Sequence, residues 1–386
     1  MTDAVPVLEL RGVCVRRGGR TVLDVPAFLL ERGELVALIG PNGAGKTTLL
    51  HALMGLVPRA AGEALLQGEA LEAGGRLVER RRRMALVLQD PLLFDTTVER
   101  NVAEPLRLRG LRGAALRRRV AEGLERFRVG ALADRPAREL SGGEARRVSH
   151  ARALVTGPEV VLLDEPFASL DLPTRQAITD DLEEAVREAG MAAILVTHDA
   201  AEALRLADRI AVMHQGRIVQ SDAPAEVLNH PVNEFVASCV GMETILEGEV
   251  RARSGWELQV AVGDAMVEAV GEAEIGDPVH LCIRPENVVL EAFAPAHATS
   301  ARNVYPARIA GVASIGPYLK LRLECGFPLV THVTAESYAG LGLGPGKSVQ
   351  ALFKATAVHV IRRARPAAAA AGVPAVPAAR AVRAER

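Results

Sequence analysis

Short apolar runs alternate with helical stretches from the start of the chain to about residue 220. The runs at Leu35–Ile39, Met84–Leu88, Val160–Leu163 and Ala192–Thr197 have the length and composition of buried strands. Strands that alternate with helices in this way are typical of an α/β domain.

The pattern changes after this region. The stretch "IAVMHQGRIVQ" predicts a β-hairpin that turns at Gln215-Gly216. The following residues, Asp222–Met242, are predicted to form a helical exit, that is, a helical segment that leads out of the domain. From Glu243 onward, stretches such as "ILEGEVRARSGWELQVAV" and "YLKLRLECGFPLVTHV" alternate in polarity and predict a small all-β region with tight turns. We therefore expect an α/β domain at 1–240 followed by a small all-β barrel domain at 243–365. Residues 366–386 are rich in Ala and Pro and are predicted to be a disordered tail.

Composition narrows the classes of function. The formal net charge of −1 over 386 residues argues against nucleic acid as the main ligand. The four cysteines are widely scattered, which favours reduced thiols over a disulfide framework or a zinc site. No signal peptide is recognisable and no apolar run reaches the ~18 residues of a membrane helix, so a membrane role would come through partners.

The stretch "LIGPNGAGKTTLL" contains one of only four lysines among the 46 basic residues. It matches G-x-x-x-x-G-K-T, the phosphate-binding loop, and it lies between a predicted strand and a predicted helix. Glycines let successive backbone N–H groups point at one anion, a lysine reaches the β- and γ-phosphates, and a threonine hydroxyl suits Mg²⁺. The predicted nucleotide-binding residues of the loop are Gly40, Asn42, Gly43, Gly45, Lys46, Thr47 and Thr48.

Two further stretches carry polar residues at the ends of predicted elements. In "VVLLDEP", an apolar strand delivers Asp164, which could bind Mg²⁺ together with Thr47, and Glu165, which could polarise an attacking water. In "LSGGEARRV", Ser141 and Glu144 fit a capping box at the start of a helix, and such a helix start is itself an anion site.

Together these motifs resemble the ATP-binding cassette (ABC) family, over roughly the first 240 residues. The resemblance implies a P-loop nucleotide-binding domain in a homodimer that encloses two ATP molecules with Mg²⁺. It implies that Gln89 senses Mg²⁺ and water and touches the permease-docking segment, and that His198 contacts the γ-phosphate. It also implies that Ser141, Gly142 and Gly143 close on ATP bound to the opposite subunit, and that Asp171 crosses the dimer interface.

One position departs from the family pattern. The family usually places an aromatic residue upstream of the phosphate loop to stack on adenine, and in "GVCVRRGGRTVLD" that position is Arg17. We expect the Arg17 guanidinium to lie over the adenine through a cation–π contact, or base recognition to be loose.

The C-terminal third resembles the oxyanion-binding barrel domains of importer ATPases, in "CIRPENVVL", "TSARNVYPARI" and "FKATAVHVI". The last two stretches resemble the molybdate/tungstate-binding version. A tetrahedral dianion needs convergent donors, and these stretches supply Ser300, Arg302, Asn303 and Lys354. The alternative is a ligand-free structural barrel, as importers of sulfate, iron or polyamines also carry barrel domains.

The resemblance therefore implies an ATP-hydrolysing importer subunit, for tungstate or molybdate, that binds at the cytoplasmic face of the cell membrane. Its expected partners are integral-membrane permease subunits, a solute-binding protein outside the membrane and a cytoplasmic oxyanion effector. One alternative is a soluble cassette ATPase that acts on nucleic acid or ribosomes. Such a protein would usually have two fused cassettes or a long coiled insertion, and the sequence contains neither. A second alternative is an oxyanion storage or regulatory protein in which hydrolysis is vestigial. The presence of Lys46, Glu165 and His198 argues against it.

Overall fold

The first part of the chain contains both strands and helices. The computed structural model describes residues 5–71, 77–291 and 299–363, and the chain divides into two units, Met1–Gly241 and Met242–Arg386. The strands of the first unit are β1 (Leu8–Arg17), β2 (Arg20–Leu30), β3 (Leu35–Ile39), β4 (Ala61–Leu66), β5 (Glu69–Ala70), β6 (Met84–Val87), β7 (Val160–Asp164), β8 (Ala192–Val196), β9 (Arg209–His214) and β10 (Arg217–Asp222). Its helices are α1 (Lys46–Leu53), α2 (Leu77–Arg81), α3 (Val98–Leu108), α4 (Gly113–Arg126), α5 (Gly142–Leu154), α6 (Leu172–Glu188), α7 (Ala200–Leu206), α8 (Pro224–Asn229) and α9 (Glu234–Cys239).

The four strands predicted from apolar runs lie together in a six-stranded sheet of order β10-β9-β3-β8-β7-β6. From β9 to β6 neighbouring strands are parallel, and every residue of β3, β7 and β8 is buried. Complete burial explains the continuous apolar runs, because helices cover both faces of a parallel sheet. The carboxyl ends of β3, β7 and β8 lead into the phosphate loop, Glu165 and His198 respectively, so the sheet brings these three segments to one edge.

The predicted hairpin is confirmed. Strand β10 pairs antiparallel with β9, and the turn residues Gln215 and Gly216 both have positive φ, 47° and 81°. Two consecutive positive φ angles are those of a type I′ turn, whose twist matches that of the flanking strands.

The helical exit predicted over Asp222–Met242 is interrupted. Helix α8 ends at Asn229 and α9 begins at Glu234, with Pro231 between them. Proline lacks a backbone N–H and disfavours helical dihedrals in the residue before it. The side chain of Asn233 then starts α9, since it accepts a 2.9 Å hydrogen bond from the N–H of Val236.

A second sheet of the first unit did not follow from the sequence pattern. It has four antiparallel strands in the order β2-β1-β4-β5. Strands β1 and β2 mix buried and exposed positions, as expected for strands with one face against the core and one towards solvent.

The described residues of the second unit form two antiparallel five-stranded sheets and one short helix, which agrees with the predicted all-β class. The strands are β11 (Thr244–Ser254), β12 (Glu257–Val262), β13 (Ala265–Val270), β14 (Pro278–Ile283), β15 (Val289–Glu291), β16 (Asn303–Ile315), β17 (Tyr318–Glu324), β18 (Pro328–Thr334), β19 (Ser348–Phe353) and β20 (Val358–Arg362). The sheet orders are β13-β12-β11-β14-β20 and β15-β19-β16-β17-β18. A short helix, α10 (Ala335–Gly340), follows β18. The tail predicted at 366–386 lies outside the described residues.

Candidate functional site

The phosphate loop connects β3 to α1, and its backbone excludes side chains at two positions. A Cβ atom on Gly40 would lie 2.2 Å from the carbonyl oxygen of Met213, on the neighbouring strand β9. Gly45 has a φ of 106° and precedes the first residue of α1, so it aims the start of the helix into the loop. Asn42 and Gly43 are exposed at the tip of the loop, and Thr48 is half-buried in the first turn of α1.

The Lys46 ammonium folds back across the loop. Its Nζ donates to the carbonyl oxygens of Gly40 at 2.7 Å and Pro41 at 3.0 Å, and the residue is only 6% exposed. Burial lowers the pKa of Lys46, whereas the nearby carboxylates of Glu165 and Asp164 act in the opposite direction. A phosphate would offer this ammonium a stronger, charge-assisted partner than two neutral carbonyls.

Thr47 and Asp164 form an oxygen-donor pair beside the loop. The Thr47 hydroxyl donates to Asp164 Oδ1 at 3.2 Å. Burial raises the pKa of Asp164, and the charge of Glu165 raises it further, while the bond from Thr47 opposes both effects. No group of three or more His, Cys, Asp or Glu side chains in the described ranges could hold a metal ion. The hydroxyl and carboxylate oxygens of the pair suit Mg²⁺, which takes few protein ligands and completes its shell with phosphate and water oxygens.

Glu165 lies just beyond β7 in a left-handed backbone conformation, with φ of 45°. Its N–H donates to Val196 O at 3.0 Å, and its side chain is 18% exposed. Oε2 of Glu165 lies 3.4 Å from Nδ1 of His198, whose side chain is 64% exposed. A groove of about 530 Å³ is lined by Gly40, Asn42, Glu165 and His198, so the structure places the predicted base and the predicted switch histidine beside the phosphate loop.

Arg146, which the sequence analysis did not single out, holds the Glu165 loop in place. This α5 residue is 7% exposed, and its guanidinium donates to the carbonyl oxygens of Glu165 at 3.3 Å, Pro166 at 3.0 Å and Ala168 at 2.9 Å. Backbone strain of the kind seen at Glu165 persists only where surrounding contacts enforce it. The sequence offered only a weak signal, because Arg146 is the first of two adjacent arginines in "LSGGEARRV" and its burial in α5 is visible only in the structure.

The signature residues lie at the start of α5. Ser141 caps the helix: its Oγ accepts from the N–H of Glu144 at 3.3 Å, and the Glu144 carboxylate accepts from the N–H of Ser141 at 2.8 Å. The capping box is thus confirmed. Ser141 and Gly142 are exposed and Gly143 is half-buried, and within the described chain none of the three lines the groove at the phosphate loop.

The remaining predicted nucleotide-site residues are exposed. Asp171 caps α6 by accepting from the N–H of Thr174 at 3.3 Å, and Gln89 follows the end of β6. Arg17 ends β1 and lies directly across the hairpin from Arg20. The contact of Arg17 with adenine stays a prediction, which a nucleotide titration of Arg17→Ala would check.

The structure does not bring the four predicted oxyanion donors together. Asn303 is 1% exposed, and its side-chain amide exchanges two 2.8 Å hydrogen bonds with the backbone of Glu268 in β13, which commits both ends of the amide. Arg302 pairs with the Glu268 carboxylate at 3.2 Å. Ser300 and Lys354 do line one groove, of about 390 Å³.

Among the helices described, none combines the length and the apolar character needed to cross a membrane.

Comparison with known proteins gives matches in both units. The family described as ABC transporter matches residues 23–168, and the family described as TOBE domain matches residues 299–360. The molybdate/tungstate import ATP-binding protein WtpC of Pyrococcus horikoshii is 38% identical over 336 residues, which cover 86% of this chain and 94% of that protein. The spermidine/putrescine import ATP-binding protein PotA of Chromobacterium violaceum is 38% identical over 293 residues, or 75% of this chain and 80% of that protein. The solved structure of CbiO1 from Clostridium perfringens, described as part of the ABC transporter complex CbiONQ, superposes with a TM-score of 0.55 at 29% identity and covers 62% of this chain and 96% of CbiO1.

Proposed function

We propose, since the chain belongs to the ABC transporter family of import ATP-binding proteins, that it hydrolyses ATP to drive the import of tungstate or molybdate. The ATPase activity and the association with a membrane permease rest on membership of this family. The observation that carries the choice of solute is the 38% identity to a molybdate/tungstate import ATP-binding protein over 86% of this chain. A polyamine importer is the second candidate, because the spermidine/putrescine relative is equally identical over a shorter part of the chain.

The hydrolytic step follows from the groups at the edge of the central sheet. ATP binds with its phosphates on the loop, and Lys46 exchanges its carbonyl partners for phosphate oxygens. Glu165 accepts a proton from the attacking water, and His198, within reach of Glu165 Oε2, contacts the γ-phosphate. Thr47, Asp164 and Gln89 would hold Mg²⁺, which neutralises charge on the phosphates.

The working unit is proposed to be a homodimer. Each chain has one phosphate loop and one signature segment at Ser141–Gly143, and the latter lies away from the groove of its own chain. A second copy would place the start of its helix α5, with the backbone N–H groups of Gly142 and Gly143 and the positive end of the helix, against the γ-phosphate. Closure and reopening of this dimer would drive permease subunits at the cytoplasmic face of the membrane, and a solute-binding protein would deliver the anion from outside.

An exposed apolar pair marks the surface where the permease is proposed to dock. Leu92 and Phe94 are 64% and 57% exposed, shortly after Gln89. Their backbone is nonetheless firmly held: Arg152 donates to the carbonyl oxygen of Leu92 at 2.9 Å, and Asn101 exchanges hydrogen bonds of 2.8 and 3.0 Å with the backbone of Phe94. A rigidly presented apolar pair suits a protein partner, because little conformational entropy is lost when it binds.

The choice of solute is tested by uptake. In cells that express the chain with its permease and solute-binding partners, we expect tungstate and molybdate to accumulate, as measured by elemental mass spectrometry, with spermidine uptake unchanged. The matched control is the same strain with Glu165→Gln, in which accumulation should stop. Spermidine uptake that depends on the chain, without tungstate uptake, would replace the first candidate with the second.

A cytoplasmic oxyanion effector remains a proposal for Ser300 and Lys354. Glu286 and Glu291 line the same groove and oppose an anion there, so the lysine charge should dominate any affinity. In calorimetry of the full chain with tungstate, we expect Lys354→Ala to weaken binding at least about tenfold, as for a lost charge-assisted hydrogen bond. Lys347→Ala is the control, since Lys347 instead donates to the carbonyls of Leu341 and Gly342. Equal heats from both variants would remove Lys354 from the site.

A further inference from the structure

Arg175 lies in the first turn of α6, immediately after the loop that leads from Glu165 to Asp171. Its backbone N–H donates to Asp171 O at 2.9 Å. Its guanidinium reaches back to the same loop, with Nη2 lying 3.4 Å from the carbonyl oxygen of Leu170. One terminal nitrogen of the Arg175 guanidinium, Nη2, is therefore attached to the segment that carries the predicted base.

The other terminal nitrogen of the guanidinium, Nη1, reaches the loop that carries His198. Nη1 of Arg175 lies 3.4 Å from Asp199 Oδ2 and 3.9 Å from Glu202 Oε1. The Glu202 carboxylate accepts from the Thr197 hydroxyl at 2.6 Å, and that hydroxyl in turn accepts from the Asp199 N–H at 3.0 Å. Both chain neighbours of His198 thus belong to one hydrogen-bonded network that ends on Arg175.

The His198 ring is not enclosed by packing. Its side chain is 64% exposed and lies 3.4 Å from Glu165 Oε2. A small cavity of about 50 Å³, lined by Glu165, Ser169, Arg175 and His198 among others, separates the two loops. The position of the His198 ring is therefore set mainly by the backbone of its loop. Arg175 spans the cavity between this loop and the loop of Glu165.

Within the acidic network, burial raises the pKa of Glu202, while the Arg175 guanidinium acts to lower it. A charged fork that contacts two acids and a carbonyl oxygen at once uses the planar geometry of arginine, which a lysine ammonium cannot reproduce.

From this arrangement we infer that Arg175 is a positioning residue for hydrolysis. It couples the loop from Glu165 to Asp171 to the loop that carries His198. The inference rests on the proposed function, because it assumes that His198 acts on the γ-phosphate. In the described part of the chain, Arg175 does not line the groove at the phosphate loop. Its role is to make the position of the histidine depend on the position of the Glu165–Asp171 loop, so that a shift of one loop moves the other.

The test compares Arg175→Gln with Arg205→Gln in the full-length protein. Arg205 also bridges α7 and α6, through Asp180 and through Glu183 at 3.6 Å, but it makes no contact with either loop in the described structure. We expect Arg175→Gln to lower kcat about 10- to 100-fold, as for a misplaced reacting group, with the Kd for an ATP analogue changed less than about twofold. Arg205→Gln should retain wild-type kcat, and Arg175→Lys should recover part of the loss.

A double-mutant cycle separates positioning from general loosening of the fold. In a His198→Ala background, Arg175→Gln should add little further loss of kcat, because both changes disable the same step. Additive losses, a wild-type kcat in Arg175→Gln, or an equal loss in Arg205→Gln would each overturn the inference. Failure of the proposed role of His198 would look different, since His198→Ala alone would then retain the wild-type kcat.

Discussion

Glu165→Gln is expected to reduce ATP turnover about 10²–10⁴-fold, the usual contribution of a positioned general base, while ATP still binds. The amide keeps the size of the carboxylate but cannot accept the proton of the attacking water. Binding should survive because the phosphate loop and Lys46 are unchanged, and Glu165 makes no hydrogen bond to the loop in the described residues. Steady-state phosphate release and nucleotide titration give the two quantities.

The matched control for this variant is Glu159→Gln, at the other end of strand β7. Glu159 pairs with Arg83 at 2.7 Å, away from the phosphate loop, so its loss should leave turnover near the wild-type value. ATP-loaded Glu165→Gln should also run as a dimer in sizing chromatography, because the closed state cannot be left through hydrolysis. Turnover at the wild-type rate would refute the role of Glu165.

Arg146→Met is expected to lower the free energy of unfolding by roughly 2–4 kcal/mol and to lower kcat as well. Three carbonyl oxygens lose their charged donor, which costs stability, although the released burial penalty of the guanidinium limits the loss. Because these contacts hold Glu165 at a φ of 45°, the loop should relax and carry the carboxylate away from the attacking water. Urea unfolding and steady-state kinetics measure the two effects.

Arg152→Met provides the comparison for Arg146→Met on the same helix. Arg152 likewise donates to two carbonyl oxygens, those of Pro91 at 2.8 Å and Leu92 at 2.9 Å, but it lies near the opposite end of α5. It should therefore lower stability while leaving the ATPase rate of the isolated protein close to wild type. Equal loss of kcat in both variants would mean that Arg146 acts only through global stability.

The parts of the site that sequence could predict are those that are local in the chain. The phosphate loop, Asp164 and Glu165 each occupy the end of a completely buried strand, and such strands have an unambiguous apolar pattern. The order of strands in the sheet then brings them together without further information. The interrupted exit helix was also predictable, because Pro231 lies within the range predicted as helical.

Contacts between distant segments could not be predicted in the same way. Arg146 acts on carbonyl oxygens 19 to 22 positions away, and backbone carbonyls leave no trace in the residue types. Asn303 shows the converse error: a polar residue near other polar residues suggested a ligand, whereas its amide pairs with the backbone of β13. The β2-β1-β4-β5 sheet was missed because β1 and β2 are only partly buried and lack continuous apolar runs.

The helix cap at Ser141 has a consequence for the energetics of closure of the proposed dimer. A hydroxyl has one hydrogen to donate and two lone pairs to accept, and in the resting chain the Glu144 N–H occupies one lone pair. In the proposed dimer, the hydroxyl hydrogen would be available to donate to a phosphate oxygen of the nucleotide on the opposite subunit. Binding there would add a bond without breaking the cap, so the end of the helix need not fray when the subunits meet. The cost of closure would then fall on the desolvation of polar groups and on side-chain ordering, and each cycle of opening would leave the helix start intact for the next.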